Sequence, residues 1–315
     1  MARNKVQFQK SMSEPEFQQL YGTEEQCVDA LTAWRWPNGF VCPRCEHNHG
    51  HQLKTRTQIQ CAQCRTQTSL TADTIFHSTK LSLTVWFRAL YHLTQAKNGV
   101  SALELSRRLG VSYNTAWKVK HKLMQVMKER EDTQCLLSGR VEIDDAYLGG
   151  EHAGKRGRGA EGKLGFIAAV ETTQDKKPVK IVLHPVSGFT WAEVVLFAQK
   201  TLAPATQVFS DGLPCFAGVT EAGCEHEPIV SGPGRQAAQN PTFRWVNTVL
   251  ANIKNAMVGT YRHFDHKHAP RYLAEFQYRF NRRFDLSQML ARLGCVATRT
   301  PPMPYRLLKL AEIDA

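Results

Sequence analysis

The sequence predicts a multidomain α/β protein, in which a small metal-stapled β segment and a helical segment precede a larger domain of alternating strands and helices. Three observations carry this. Four cysteines are spaced C-x2-C-x15-C-x2-C between Cys42 and Cys64, apolar residues recur with helical period from residue 80, and strand-like and helix-like runs alternate from residue 139. At 315 residues the chain is about twice a typical domain, so two or three domains are expected.

Composition narrows the class. Hydrophobic content is 42% with 14 Pro, which suits a folded protein, and no apolar run approaches the ~18 residues of a spanning helix. No membrane role is expected. The N-terminal stretch lacks the apolar core of a secretory signal, so a cytoplasmic location is expected and disulfides are not. A net charge of +12 and a pI near 9.3 point to a polyanionic partner.

Residues 1–36 read as a helical lead-in, with Phe17, Leu20, Cys27, Leu31 and Trp34 as its apolar positions. Residues 37–76 are rich in Gly, Pro, Cys and Thr and hold too few large apolar residues to form a core unaided. Thiolates Cys42, Cys45, Cys61 and Cys64 have the spacing of a tetrahedral structural zinc site, each Cys-x-x-Cys knuckle giving two ligands. Iron would take the same ligands, and a redox Cys-x-x-Cys pair is the plainer alternative. His47, His49 and His51 read as solvated loop residues. Cys27, Cys135, Cys215, Cys224 and Cys295 are scattered and read as small buried residues.

Residues 80–131 form the helical segment. Ser101 is placed to cap one helix, Gly110 to make the turn and Ser112 to cap the next, while Ala116, Val119, Leu123 and Val126 pack it. This is a helix-turn-helix pattern, with a plain helical hairpin as the alternative. Tyr113, Asn114, Thr115, Lys118, Lys120 and Lys122 then decorate the second helix, where DNA bases and phosphates would be met. A basic glycine-rich insert supplies Lys155, Arg156 and Arg158 as further phosphate contacts.

Residues 139–290 form the α/β domain, followed by a tail, 291–315. In "RVEIDDAYLGG" period-2 alternation puts Val141 and Ile143 on one face and Glu142 and Asp144 on the other, with Asp145 on the apolar side. Asp144 in an otherwise apolar strand is the first candidate metal ligand. Asp211 follows the strand "TQVFS", and active groups favour the carboxyl ends of strands in α/β sheets. On the helix around residues 243–261 the apolar stripe is Val246, Val249, Leu250, Ile253 and Met257. Asn247 and Lys254 fall on one line about 80° from it, and Asn252 faces solvent.

This order of ribbon, helix-turn-helix, strand acid, strand-end acid and helix residue with lysine seven later resembles the transposases of the IS1595 group, whose ISXO2-like catalytic domain is of RNase H type. "VEIDDAYLGG" is similar to that family's first-acid strand, commonly V-E-V-D-E-T-Y-x-G-G. "SDGLPCF" resembles its second-acid strand, "VNTVLANIK" the segment of the third residue and its lysine, and "YLAEFQYRFNRR" the closing helix. The resemblance covers about residues 14–290. It implies an RNase H-like fold, catalytic residues Asp144, Asp211, Asn247 and Lys254, and two Mg²⁺ or Mn²⁺ ions held by Asp144, Asp211 and Asn247. It also implies a homo-oligomer acting on element terminal inverted repeats and target DNA, cutting and rejoining strands. The superfamily's usual third residue is Glu, whereas this chain has Asn247; Glu142, Glu225 or Glu227 are alternatives for that place. The rival function is a non-catalytic DNA-binding regulator with a degenerate catalytic domain.

Overall fold

The computed structural model describes residues 10–53, 57–134, 136–149, 163–230, 240–262 and 264–311. In chain order, the elements begin with helices α1 (Glu14–Tyr21) and α2 (Glu24–Arg35), then strands β1 (Gly50–Gln52), β2 (Gln58–Cys61) and β3 (Gln67–Ser69). Helices α3 (Leu83–Gln95), α4 (Ala102–Leu109) and α5 (Tyr113–Asp132) follow. Next come β4 (Arg140–Leu148), β5 (Leu164–Thr172), β6 (Pro178–Val186), α6 (Trp191–Thr201), β7 (Gln207–Ser210) and β8 (Glu225–Pro228). Helices α7 (Arg244–Ala256), α8 (Ala269–Asn281), α9 (Met289–Ala297) and α10 (Tyr305–Leu310) complete the order. Two compact units result: Met1–Arg130 with Arg282–Ala315, and Glu131–Asn281.

The first unit is built from locally encoded helices. Capping boxes start α1 at Ser13/Glu16 and α2 at Thr23/Gln26, each satisfying two otherwise unpaired backbone N–H groups. The Glu24 carboxylate accepts from the backbone N–H of Leu83 and Thr84 at 2.8 and 3.0 Å, so an acid in the first turn of α2 also caps α3. Leu20, expected in the apolar set of the lead-in, is 53% exposed instead. Ser101 caps α4 as predicted, Gly110 takes the left-handed conformation at φ 68°, and Ser112 accepts from Thr115 N–H.

Of residues 291–315, expected as a tail, the described residues up to 311 pack into this unit. Met289, Leu290 and Leu293 of α9 are fully buried, and Trp34, itself stacked on Phe87 at 5.0 Å, lies against Gly294. A Cβ at Gly294 would meet the Trp34 ring at 2.2 Å, so glycine is required there.

The second unit carries a five-stranded sheet in the order β6-β5-β4-β7-β8. β4, β5 and β6 form an antiparallel meander, and β7 and β8 run parallel to β4. A meander extended on one side by two parallel strands is the sheet of the RNase H-like fold. Val141 and Ile143 face a core shared with Ile167, Val194, Phe197, Val208 and Phe216, under α6 and the 3-10 turns at Pro214–Ala222. The opposite face, bearing Glu142, is covered by α7, whose predicted stripe of Val246, Val249, Leu250, Ile253 and Met257 is buried.

Two polar devices fix these helices. Glu142, fully buried, binds Arg140 Nη1 at 2.7 Å and accepts from the N–H of Trp245 and Val246 at 2.9 and 3.0 Å, so it holds the N-terminus of α7 to β4. This is the finding that removes Glu142 from the candidate metal ligands: both oxygens are committed to folding. On the edge strand β6, Asn281 Oδ1 accepts from Ile181 N–H and its Nδ2 donates to Ile181 O, while Gln277 Oε1 accepts from Leu183 N–H. Side chains one helical turn apart on α8 thus occupy backbone groups that another strand would use.

Glu142→Ala strips Arg140 of its buried partner and leaves two amides of α7 without an acceptor. The expected loss is about 3 kcal/mol or more of unfolding free energy for this unit, read by urea denaturation.

Candidate metal centres and active site

The cysteine knuckles are built alike. Cys42 and Cys61 N–H donate to the carbonyls of His47 and Thr66, and their own carbonyls accept from Glu46 and Arg65. Glu46 and Arg65 both sit at φ 59°, a left-handed geometry that costs a non-glycine residue about 1–2 kcal/mol. The result is that the four Sγ atoms converge within 4.8 Å of one another, with Cys42–Cys64 and Cys45–Cys61 at 3.6 Å. Thiolates 2.3 Å from a tetrahedral ion stand about 3.8 Å apart, so the set fits such an ion. Thr66, through its hydroxyl and N–H, pulls the Cys64 thiol down to about 6, favouring the thiolate a metal requires. The cysteine group does not include His47, His49 or His51.

In the second unit, the parallel ladder matches Val141 with Val208, Glu142 with Phe209 and Ile143 with Ser210. The next positions in that register are Asp144 and Asp211. Neighbouring strands run about 4.8 Å apart. The carboxylates of Asp144, Asp145 and Asp211 each offer an oxygen within 4.8 Å of the other two. Asp145, assigned to the opposite face from the sequence, therefore joins the site. β7 stops at Ser210 while β4 runs on to Leu148, so at Asp145 there is no neighbouring strand on that side to separate the two faces. Its N–H donates to Asp144 Oδ1 at 2.9 Å. The doublet in "EIDDAY" was the signal for it.

Burial, reinforced by the charges of Asp145 and Asp211, pushes the Asp144 carboxyl up to about 7, and Lys254 acts in the opposite direction. Lys254 is exposed but within electrostatic reach of Asp144. Asn247 is half-buried on α7, directly after the Val246 amide bound by Glu142, and Asn252 is exposed as predicted. Glu225 and Glu227 are exposed on β8 and are not part of the carboxylate group. A dense set of carboxylates with one acid this hard to ionise suits a divalent cation, whose charge offsets the repulsion.

The helix-turn-helix candidates divide. Tyr113 is 53% exposed and Asn114 and Lys118 are exposed, whereas the Thr115 hydroxyl pairs with Ser112 at 2.9 Å. Lys122 is half-buried and donates to Ile75 O at 3.0 Å, and Lys120, expected on the surface, is 1% exposed. The reason is that α5 is covered on more than one stripe, since Met124 and Met127 are buried beside Ala116, Val119, Leu123 and Val126. Lys155, Arg156 and Arg158 lie outside the described residues.

Two outcomes are expected here. Cys61→Ser lowers the metal content of the purified chain from one equivalent towards none, by elemental analysis, and opens residues 37–76 to proteolysis. Asp144→Asn stabilises the second unit at pH 8 without added divalent cations. The raised carboxyl means that from about pH 4 to 7 the unfolded chain loses a proton that the folded one keeps, so wild-type stability falls through that window. The gain is on the order of 4 kcal/mol at pH 8 and vanishes below pH 4, measured by thermal melts across pH.

Comparison with known proteins bears on both units. Residues 136–281 match the family model for the ISXO2-like transposase domain, and residues 22–67 that for the transposase zinc-ribbon domain. A curated relative, an uncharacterized protein in transposable element ISH50 of Halobacterium salinarum, is 24% identical over 232 residues, covering 67% of this chain and 76% of its own. Among solved structures, the Mos1 transposase paired-end complex with left transposon end is 12% identical over 66% of this chain and 78% of that one, with a TM-score of 0.22. The Mos1 strand transfer complex is 10% identical over 69% and 79%, also at 0.22. The fold follows from the strand order of the sheet. With the cysteine knuckles and the strand-borne acids falling inside the two matched segments, the chain belongs to the ISXO2-like transposases of the IS1595 group.

Proposed function

We propose that this chain is a DNA transposase that cuts at the ends of an insertion sequence and joins the freed 3′-OH to target DNA. The observation that carries the reading is the convergence of Asp144, Asp145 and Asp211 where β7 ends beside the middle of its parallel neighbour β4, within the matched transposase domain. Asp144 and Asp211 would hold two divalent cations, Mg²⁺ or Mn²⁺, with Asp145 beside them and Asn247 as a neutral oxygen donor. Ions held there would activate a water or a 3′-OH on one side of a phosphodiester and stabilise the leaving oxygen on the other.

The chain's own groups prepare that site. Glu142 fixes the helix that carries Asn247 and Lys254, so both approach from one rigid element. Lys254, already felt by Asp144, is suited to a DNA phosphate or end contact. The four cysteines hold a structural zinc, chosen over iron because a closed tetrahedral thiolate set in a matched zinc-ribbon domain needs no redox ion. Tyr113, Asn114 and Lys118 of α5 contact DNA, and the basic insert with Lys155, Arg156 and Arg158 adds phosphate contacts. Copies of the chain assemble on paired element ends.

The test is a purified chain incubated with Mg²⁺ or Mn²⁺ and DNA carrying the element's terminal inverted repeats. Wild type is expected to give nicked ends and joined products. Asp144→Ala and Asp211→Ala are expected to abolish both while retaining DNA binding, and Asn247→Ala to slow cleavage with a higher metal requirement. Binding without cleavage by wild type would identify a regulator, and cleavage without joining a simple nuclease.

A further inference from the structure

Within the first unit, α10 comes to lie beside α5. The Tyr305 ring meets Trp117 edge-on with centroids 6.4 Å apart, and Lys118 Nζ stands 4.5 Å from the centre of the same ring. Trp117 in turn stacks on His121 at 3.9 Å, so Tyr305 rests on a fixed aromatic base. Leu308, fully buried, anchors α10, while Tyr305 remains 51% exposed and Arg306 and Lys309 face solvent.

Helical geometry aligns these groups. Tyr305 and Lys309 are four residues apart and share a face of α10, as Asn114 and Lys118 do on α5. Neither α10 nor the first two turns of α5 contains an acidic residue, and among the described residues no ion pair neutralises Lys118, Arg306 or Lys309. Cation–π attraction holds the Lys118 ammonium over the half-exposed Tyr305 ring, and an ammonium placed in advance loses less entropy when it binds an anion.

We propose that α10 is the second half of a DNA-backbone surface begun by α5. Arg306, Lys309 and Lys118 contact phosphates of one duplex, with Tyr305 positioning Lys118. This rests on the DNA-binding role proposed above, and it adds a contact surface from a segment almost 190 residues further along the chain.

The experiment measures binding of the full-length, metal-loaded chain to a terminal-repeat duplex and to a scrambled duplex by fluorescence anisotropy across a salt series. Arg306→Gln with Lys309→Gln is expected to weaken both duplexes equally, about tenfold near 0.1 M salt. The slope of log K against log salt should shrink by about 2, one counterion released per phosphate contact, with the melting temperature unchanged. Tyr305→Ala is expected to reproduce part of the Lys118→Ala loss, and the two together to be less than additive. An unchanged salt slope in the folded double variant overturns the proposal, as does a loss confined to the terminal-repeat duplex. A wild-type chain that binds neither duplex removes the parent reading together with this one.

Discussion

The in-register parallel pairing of β4 with β7 is the constraint on which the second unit depends. It sets Asp144 and Asp211 side by side although they are far apart in sequence, and it does so through backbone hydrogen bonds that do not involve the acids. Burial first, and then the charges of Asp145 and Asp211, make Asp144 hard to ionise. A divalent cation would offset the repulsion among these clustered carboxylates.

One face of β4 carries two acids with opposite fates. Glu142 is neutralised by Arg140 and by the amides at the start of α7, so its charge is used in assembly. Two residues on, Asp144 is raised by burial and by its acidic neighbours, and only the Asp145 N–H and Lys254 act the other way. Position along a single strand therefore separates a carboxylate engaged in assembly from one clustered with other acids. The same helix that Glu142 secures brings Asn247 and Lys254 to that side of the sheet. Geometry and chemistry are thus coupled through a few residues of one strand.

What the sequence made legible was local: thiol spacing, helix caps, the turn at Gly110, the alternation along β4 and the apolar stripe of α7. These depend on contacts between residues a few positions apart, and the structure reproduces them. What stayed hidden depends on tertiary neighbours. Lys120 reads as a surface lysine until α5 is seen to be covered on several stripes. Asp145 reads as a core-facing acid until β7 is seen to stop short of it. β8, with the sequence "EHEP", has no apolar alternation because its recognition lies in its ladder with β7. Residues 289–310 reveal their place only through Gly294 against Trp34 and Tyr305 against Trp117.

The amides of Gln277 and Asn281 imitate the missing strand beside β6, and this has a bearing on how molecules of the chain meet. A sheet margin whose N–H groups are already engaged offers no template for an extended peptide. At the far margin β8 is only four residues long, bears Glu225 and Glu227 and ends in Pro228, which repels and then interrupts any would-be neighbour. Higher-order assembly is thereby steered away from continuous sheets and towards surfaces made of side chains, which can form and dissolve without the near-irreversibility of a shared β-ladder.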